Sequence, residues 1–209
     1  MRILSVADIH GSQYRLNLVL KNVESYHPDL VIVCGDITQF GPAERATNFL
    51  NQIPVETFAV PGNIDSADVD EGISASRAIN LHLRREVRQG IPFIGIGREL
   101  PSSFTNVLIT EGTTKKPLNT IVDDTSVLVT HVPPYKMQDS IFLGTHGGSK
   151  ALRQLVETRR PRLVLCAHIH ENPGVTIAGK TTVVNCSLGK RTEGAVVDIT
   201  DAITVSILE

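Results

Sequence analysis

Five short apolar runs, each ending in a polar cluster, organise the chain. Ile3-Leu4-Ser5-Val6-Ala7 leads into Asp8-Ile9-His10, and Leu30-Val31-Ile32-Val33-Cys34 into Gly35-Asp36. Thr57-Phe58-Ala59-Val60 leads into Pro61-Gly62-Asn63, Ser126-Val127-Leu128-Val129-Thr130 into His131, and Leu163-Val164-Leu165-Cys166-Ala167 into His168-Ile169-His170. Continuous apolar runs of this length read as strands buried on both faces.

Helical spacing lies between several of these runs. Ser12 suits an N-cap, and Leu16, Val19, Leu20 and Val23 follow at i, i+3, i+4, i+7. Pro42 opens a second helix reaching about Asn51. Gly148-Ser149 precedes a third, carried by Ala151, Leu152, Leu155 and Val156 and ending before Pro161. Strand–helix–strand alternation implies parallel pairing with right-handed crossovers. In such sheets functional groups gather beyond the carboxyl ends of the strands, where all five polar clusters lie. Ile91–Gly97 reads as a further strand. Residues 175–177, 181–184, 195–199 and 203–208 read as strands joined by turns at 178–180 and 200–201, suggesting a second sheet packed on the first. Pro101–Thr120 is weakly patterned and is expected to be mostly loop. The expected architecture is one α/β domain over residues 1–209.

Composition changes this picture little. The 209 residues suffice for a sizeable core, and 41% hydrophobic with 20% charged is ordinary for a globular protein. A net charge of −2 gives no global reason to expect nucleic acid or an anionic membrane as partner. Cys34, Cys166 and Cys186 lie in or beside apolar runs without C-x-x-C spacing, which suggests buried free thiols in a reducing compartment. No signal peptide or run of about 20 apolar residues is visible, so a cytoplasmic protein is expected.

The strand ends together supply Asp8, His10, Asp36, Asn63, His131, His168 and His170. A pair of divalent transition-metal ions needs this mixture: imidazoles suit borderline metals, and carboxylates can bridge two cations. A lone strand-end histidine is usually a satisfied polar residue, and a lone Gly-Asp is usually a turn. Five such clusters in order are much more specific.

These residues resemble the calcineurin-like metallophosphoesterase family, whose signature is D-x-H, then G-D, then G-N-H-D or a variant, then a single His, then G-H-x-H. The matching positions are Asp8-Ile9-His10, Gly35-Asp36, Gly62-Asn63-Ile64-Asp65, His131 and Ala167-His168-Ile169-His170, as in the small prokaryotic-type phosphodiesterases with a GN-x-D variant. The resemblance implies a double β-sheet sandwich flanked by helices, in four α-β-β-α layers. It further implies that Asp8, His10 and His170 hold one metal, that Asn63, His131 and His168 hold the second, and that Asp36 bridges them. Ions about 3.5–4 Å apart can share a hydroxide that attacks phosphorus. Mn, Fe, Zn, Ni or Co would all suit the ligands. Asp36, Asn63 and His131 would thus serve catalysis as well as metal binding.

Two positions depart from the pattern. Ala167 replaces a glycine, at little consequence. Ile64 replaces a His that in many family members donates a proton to the leaving alkoxide or holds the phosphate, so phosphodiesters or activated esters are the expected substrates. His146, in Gly144-Thr145-His146-Gly147-Gly148-Ser149 before the third helix, is a candidate to line the pocket and supply that proton; the alternative is an ordinary exposed loop histidine. Asp139 reads as a surface carboxylate, with an outer role beside a metal-bound His as the alternative, and His27 and His82 read as surface residues. A small phosphoester is the expected partner, and a homodimer is admissible. The competing reading is a protein-interaction scaffold of the same fold, as in a related eukaryotic sorting subunit. A nuclease would need a basic groove that the sequence does not display.

Overall fold

The computed structural model describes residues 1–189 and 191–209. In chain order the strands are β1 (Arg2–Val6), β2 (Leu30–Cys34), β3 (Thr57–Val60), β4 (Ile79–Asn80), β5 (Arg85–Arg88), β6 (Ile91–Ile96), β7 (Leu108–Glu111), β8 (Thr114–Pro117), β9 (Val127–Thr130), β10 (Leu163–Cys166), β11 (Gly174–Ala178), β12 (Thr181–Asn185), β13 (Ala195–Ile199) and β14 (Ile203–Ile207). The α-helices are α1 (Gln13–Tyr26), α2 (Ala43–Leu50), α3 (Val69–Ala75), α4 (Leu118–Ile121) and α5 (Lys150–Arg159).

Two six-stranded sheets form, in the orders β14-β13-β1-β2-β3-β4 and β11-β12-β10-β9-β6-β5. The pairs β1–β2, β2–β3, β6–β9 and β9–β10 are parallel. Alternation along each inner strand sends side chains to two different cores. In β2, Val31 and Val33 face the helices while Leu30, Ile32 and Cys34 face the other sheet. In β10, Leu163 and Leu165 face the first sheet while Val164 and Cys166 face α5. Burying one such side chain contributes about 1.5–3 kcal/mol relative to leaving it exposed. That explains unbroken apolar runs where a one-sided strand would alternate. Helices α1–α3 cover the first sheet and α5 covers the second, which gives the four layers.

The helix starts follow their sequence signals. Ser12 caps α1 by accepting from the Arg15 N–H at 3.4 Å, and Ser149 caps α5 by accepting from Leu152 N–H at 3.1 Å. Pro42 stands at the N-cap of α2. The three cysteines are free and buried.

Several expectations need correction. The hairpin β13–β14 joins the first sheet beside β1, not a separate second sheet, while β11, β12 and β6 extend β9 and β10. Pro101–Thr120 is not mostly loop. It holds the ribbon β7–β8, which turns at Gly112 (φ 57°), and the start of α4. The ribbon escaped notice because Thr114-Lys115-Lys116-Pro117 is wholly exposed and so carries no alternation. Helix α3 and strands β4 and β5 were also unanticipated, being short and, in α3 and β5, rich in charge.

Candidate metal centre

The parallel registers bring the carboxyl ends of β1, β2 and β3 level, with Val6 opposite Val33 and Cys34 opposite Val60. The ends of β9 and β10 meet them from the second sheet. The sheets are joined at this point by His131, whose Nδ1–H donates to the Cys34 carbonyl oxygen at 2.8 Å. That bond turns Nε2 towards Asn63 Oδ1, at 2.8 Å, and Asp36 Oδ2, at 3.4 Å.

Chain direction is reversed sharply at the ligand positions. Asp8, His10, Asp36 and His168 all have left-handed backbone, with φ of 58°, 52°, 50° and 71°. Non-glycine residues adopt this at a cost of about 1–3 kcal/mol each, a strain that clusters at functional sites. Neighbouring bonds hold the first two loops in place. His10 N–H donates to the Asp36 carbonyl at 2.8 Å and Gly11 N–H to that of Ile37 at 2.9 Å. The Arg15 guanidinium donates to the Asp8 carbonyl, and Arg45 to that of Gly11 at 2.7 Å. Neither arginine carries a motif, so nothing local marks these supports.

Gly62 is fixed by close approach. A Cβ there would lie 1.9 Å from Asp36 Oδ1 and 2.3 Å from the Asp36 nitrogen. Asp65, beside Ile64, is fully engaged. Its Oδ2 accepts from Gly62 N–H (2.9 Å) and Ile37 N–H (3.1 Å), and its Oδ1 from Thr38 N–H and hydroxyl (both 2.8 Å). Burial raises its carboxyl pKa, and these hydrogen bonds oppose the rise. Asp65 therefore clamps the loop bearing Asp36 to the loop bearing Asn63.

Two sets of ligand atoms come together within 4.8 Å of one another: Asp8, His10 and His170, and Asp8, Asp36 and His131. His170 Nε2 lies 3.5 Å from both His10 Nε2 and Asp8 Oδ1, and the His10 and His170 rings stack at 5.3 Å. His168 meets the His131 ring edge-on at 5.0 Å. All seven residues picked out in the sequence thus face one site. Asp8 is fully buried, yet neither of its carboxylate oxygens has a hydrogen-bond partner among the described residues, and the same holds for His10 Nδ1. A buried carboxylate without partners is costly unless a cation compensates it, so the residues fit divalent metal.

The electrostatics agree. Burial lowers the pKa of His10 and His168, favouring the neutral imidazole that a metal requires. Burial works to raise Asp36, but His131, the Ile64 N–H and His10 hold it below the usual carboxylate value. Burial likewise disfavours charge on His131, yet the hydrogen bond to Asp36 and the charges of Asp36 and Asp8 push it to about 9. A proton and a metal ion therefore compete for its Nε2.

His146 is exposed, as a loop histidine, but it is not isolated. Its Nδ1 bonds Asp139 Oδ1 at 2.8 Å. Asp139 is not a surface carboxylate: it is 1% exposed. His82 is also misread as a surface residue. It is half-buried, and its Nδ1 accepts from Gly97 N–H at 2.9 Å. His27 is exposed. Asn185, unmarked in the sequence, is fully buried and donates to the carbonyls of Ile169 (2.9 Å), Gln138 (3.1 Å) and Asn172 (3.1 Å). Beside His168 a groove of about 580 Å³ opens, walled by Leu100, Pro101, Val132 and Gly147–Ser149.

Comparison with known proteins agrees with this geometry. The chain is 32% identical over 199 residues to protein MJ1162 of Methanocaldococcus jannaschii, covering 90% of this chain and 88% of that one. It is 24% identical over 209 residues to a UPF0046 protein of Caenorhabditis elegans, covering 90% of this chain and 69% of the relative. Among solved structures, Thermus thermophilus TT1561 superposes with a TM-score of 0.71 at 17% identity, over 100% of this chain and 99% of the other. An archaeal phosphodiesterase superposes with a TM-score of 0.59 at 13% identity, over the whole of both chains. These two likenesses concern the fold. The family model described as calcineurin-like phosphoesterase matches residues 1–172, a span that contains every candidate ligand, and the chain belongs to the calcineurin-like phosphoesterase family.

Proposed function

We propose that the protein is a phosphoesterase dependent on two divalent metal ions and acting on small phosphodiesters. The observation that carries this reading is the buried Asp8 carboxylate, which has no hydrogen-bond partner among the described residues and belongs to both groups of ligand atoms. Asp8, His10 and His170 would hold one ion, Asn63, His131 and His168 the other, and Asp36 both. Mn, Fe, Zn, Ni and Co all suit this donor set. Such a pair supplies a water nucleophile activated near neutral pH and positive charge for the phosphoryl oxygens.

The chain's own residues do the rest. The bond from His131 to the Cys34 carbonyl fixes which ring nitrogen faces the site. Asp65 holds the Asp36 and Asn63 loops in register. Ile64 offers no proton to a leaving group, and general acid catalysis is typically worth about 10²–10⁴ in rate, so esters of poor leaving groups need a proton donor from elsewhere in the chain. Strands β11–β14 lie beyond the matched 172 residues but complete both sheets. That supports one catalytic domain over 1–209. Among the described residues no helix is long and apolar enough to cross a membrane, and three buried thiols accord with a reducing, cytoplasmic setting.

The test is hydrolysis of bis-p-nitrophenyl phosphate and p-nitrophenyl phosphate by metal-stripped protein, with and without Mn²⁺. Metal-dependent turnover favouring the diester, abolished in Asp36→Asn, is expected. Absence of turnover with all five metals would shift the reading to a protein-interaction scaffold.

A further inference from the structure

An ordinary alcohol is a poor leaving group from phosphorus unless a proton reaches its oxygen as the bond breaks. Ile64 cannot provide that proton, and a different source, His146, immediately precedes the Gly147–Lys150 segment that walls the groove beside His168. We propose that His146, positioned by Asp139, protonates the departing alcohol, so that the substrates include diesters of unactivated alcohols. This rests on the phosphoesterase reading above.

The geometry is that of an oriented acid. Asp139 Oδ1 bonds His146 Nδ1 at 2.8 Å, and Asp139 Oδ2 accepts from Lys136 N–H and Gly148 N–H, both at 2.9 Å. The Asp139 carbonyl accepts from Gly147 N–H at 3.0 Å. With the carboxylate so fixed, the imidazole carries its Nδ1 proton inward and presents Nε2 outward, where it makes no hydrogen bond among the described residues. A carboxylate on Nδ1 also fixes the ring's orientation and leaves Nε2 as the free nitrogen. Gly148 is required for this contact, because a Cβ there would lie 2.7 Å from Asp139 Oδ2 and 2.7 Å from the Pro134 carbonyl oxygen.

The dyad is attached to the metal centre at two points. A Cβ on Gly147 would lie 2.9 Å from Ile169 Cδ1, and Ile169 sits between His168 and His170. Asn185 bonds both the Gln138 and the Ile169 carbonyls, which locks the Asp139 loop to the histidine loop. Gly147–Lys150 then wall the groove that His168 enters. Charged or titratable groups around His146 are Asp139, Tyr135, whose ring meets it at 5.3 Å, and Lys136 and Lys150 over that ring.

In the step, the oxygen of water bonds to phosphorus and the P–O bond to the alcohol breaks. The His146 Nε2 proton passes to the alcohol oxygen, and the proton given up by water restores the imidazolium through solvent. Diester and water become monoester and alcohol.

The test compares the parent with His146→Ala and Asp139→Asn on bis-p-nitrophenyl phosphate, diphenyl phosphate and glycerophosphoethanolamine, with Mn²⁺ uptake measured alongside to show that each variant keeps its metal site. His146→Ala is expected to lose about 10²–10⁴-fold on the alkyl diester and progressively less as the leaving group improves. Asp139→Asn is expected to show the same leaving-group dependence, losing most on the alkyl diester and least on bis-p-nitrophenyl phosphate. Equal losses on all three substrates, or none, in a variant that binds Mn²⁺ like the parent would overturn the proposal while leaving the phosphoesterase reading intact. A parent that hydrolyses none of the three would overturn both.

Discussion

Asp65→Asn isolates the clamp beneath the metal centre. The side chain is 3% exposed and its carboxylate faces four donors: three backbone N–H groups and the Thr38 hydroxyl. An amide of the same shape keeps one acceptor oxygen. If its NH2 replaces Oδ2, it confronts both the Gly62 and Ile37 N–H groups. If it replaces Oδ1, it confronts the Thr38 N–H, while the Thr38 hydroxyl can rotate to accept. The second placement leaves one buried N–H unsatisfied, at about 1–3 kcal/mol, and also weakens the remaining charge-assisted bonds. The variant should therefore lose roughly 2–3 kcal/mol of stability. Because the clamp positions Asp36 and Asn63 from behind, metal affinity should fall about 10–100-fold, the typical cost of losing support behind a ligand. Urea denaturation gives the first quantity and Mn²⁺ titration by calorimetry the second. Stability within about 0.5 kcal/mol of the parent, together with unchanged Mn²⁺ affinity, would refute the clamp.

Further predictions follow from the same contacts. Gly62→Ala should abolish metal-dependent turnover, since its Cβ would overlap Asp36 Oδ1 at 1.9 Å; the assay is Mn²⁺-stimulated hydrolysis of bis-p-nitrophenyl phosphate, and retained turnover would contradict the packing. Adding Mn²⁺ to chelated protein at 100 times a site's Kd should stabilise it by about 2.7 kcal/mol for each ion bound, measured by denaturation, and Asp8→Asn should remove the gain from the ion it holds. His131, at about 9 when folded against 6.5 unperturbed, should stabilise chelated protein fully below pH 6.5 and lose that contribution as pH rises through 9. Mn²⁺ binding at pH 7.5 should accordingly release a proton from His131, detectable by calorimetry in buffers of different ionisation enthalpy.

The inner strands and the seven facing residues were legible because burial on both faces forces unbroken apolar runs and because chemistry gathers where those runs stop. Asp8, His131 and His168 each follow such a run directly. The supporting residues were not legible. Asp65, Asn185, Arg15 and Arg45 act by hydrogen bonds to backbone groups distant in the chain, and nothing local marks them. Asp139 looked like any loop acid, because its burial depends on Gly148 approaching from the start of α5. The placement of β13–β14 beside β1 was hidden for a related reason. A hairpin's own pattern shows which face is apolar but not which sheet it joins, and here the choice is made by the antiparallel register of Ala195 with Ser5. The ribbon β7–β8 leaves little pattern, because β8 is wholly exposed and β7 buries Ile109 alone.

The most direct test of the two-ion centre is anomalous diffraction from crystals soaked in Mn²⁺. The account predicts two peaks about 3.5–4 Å apart. Asp8, His10 and His170 should surround one, and Asn63, His131 and His168 the other, with Asp36 touching both. A single peak, or peaks away from these residues, would contradict it.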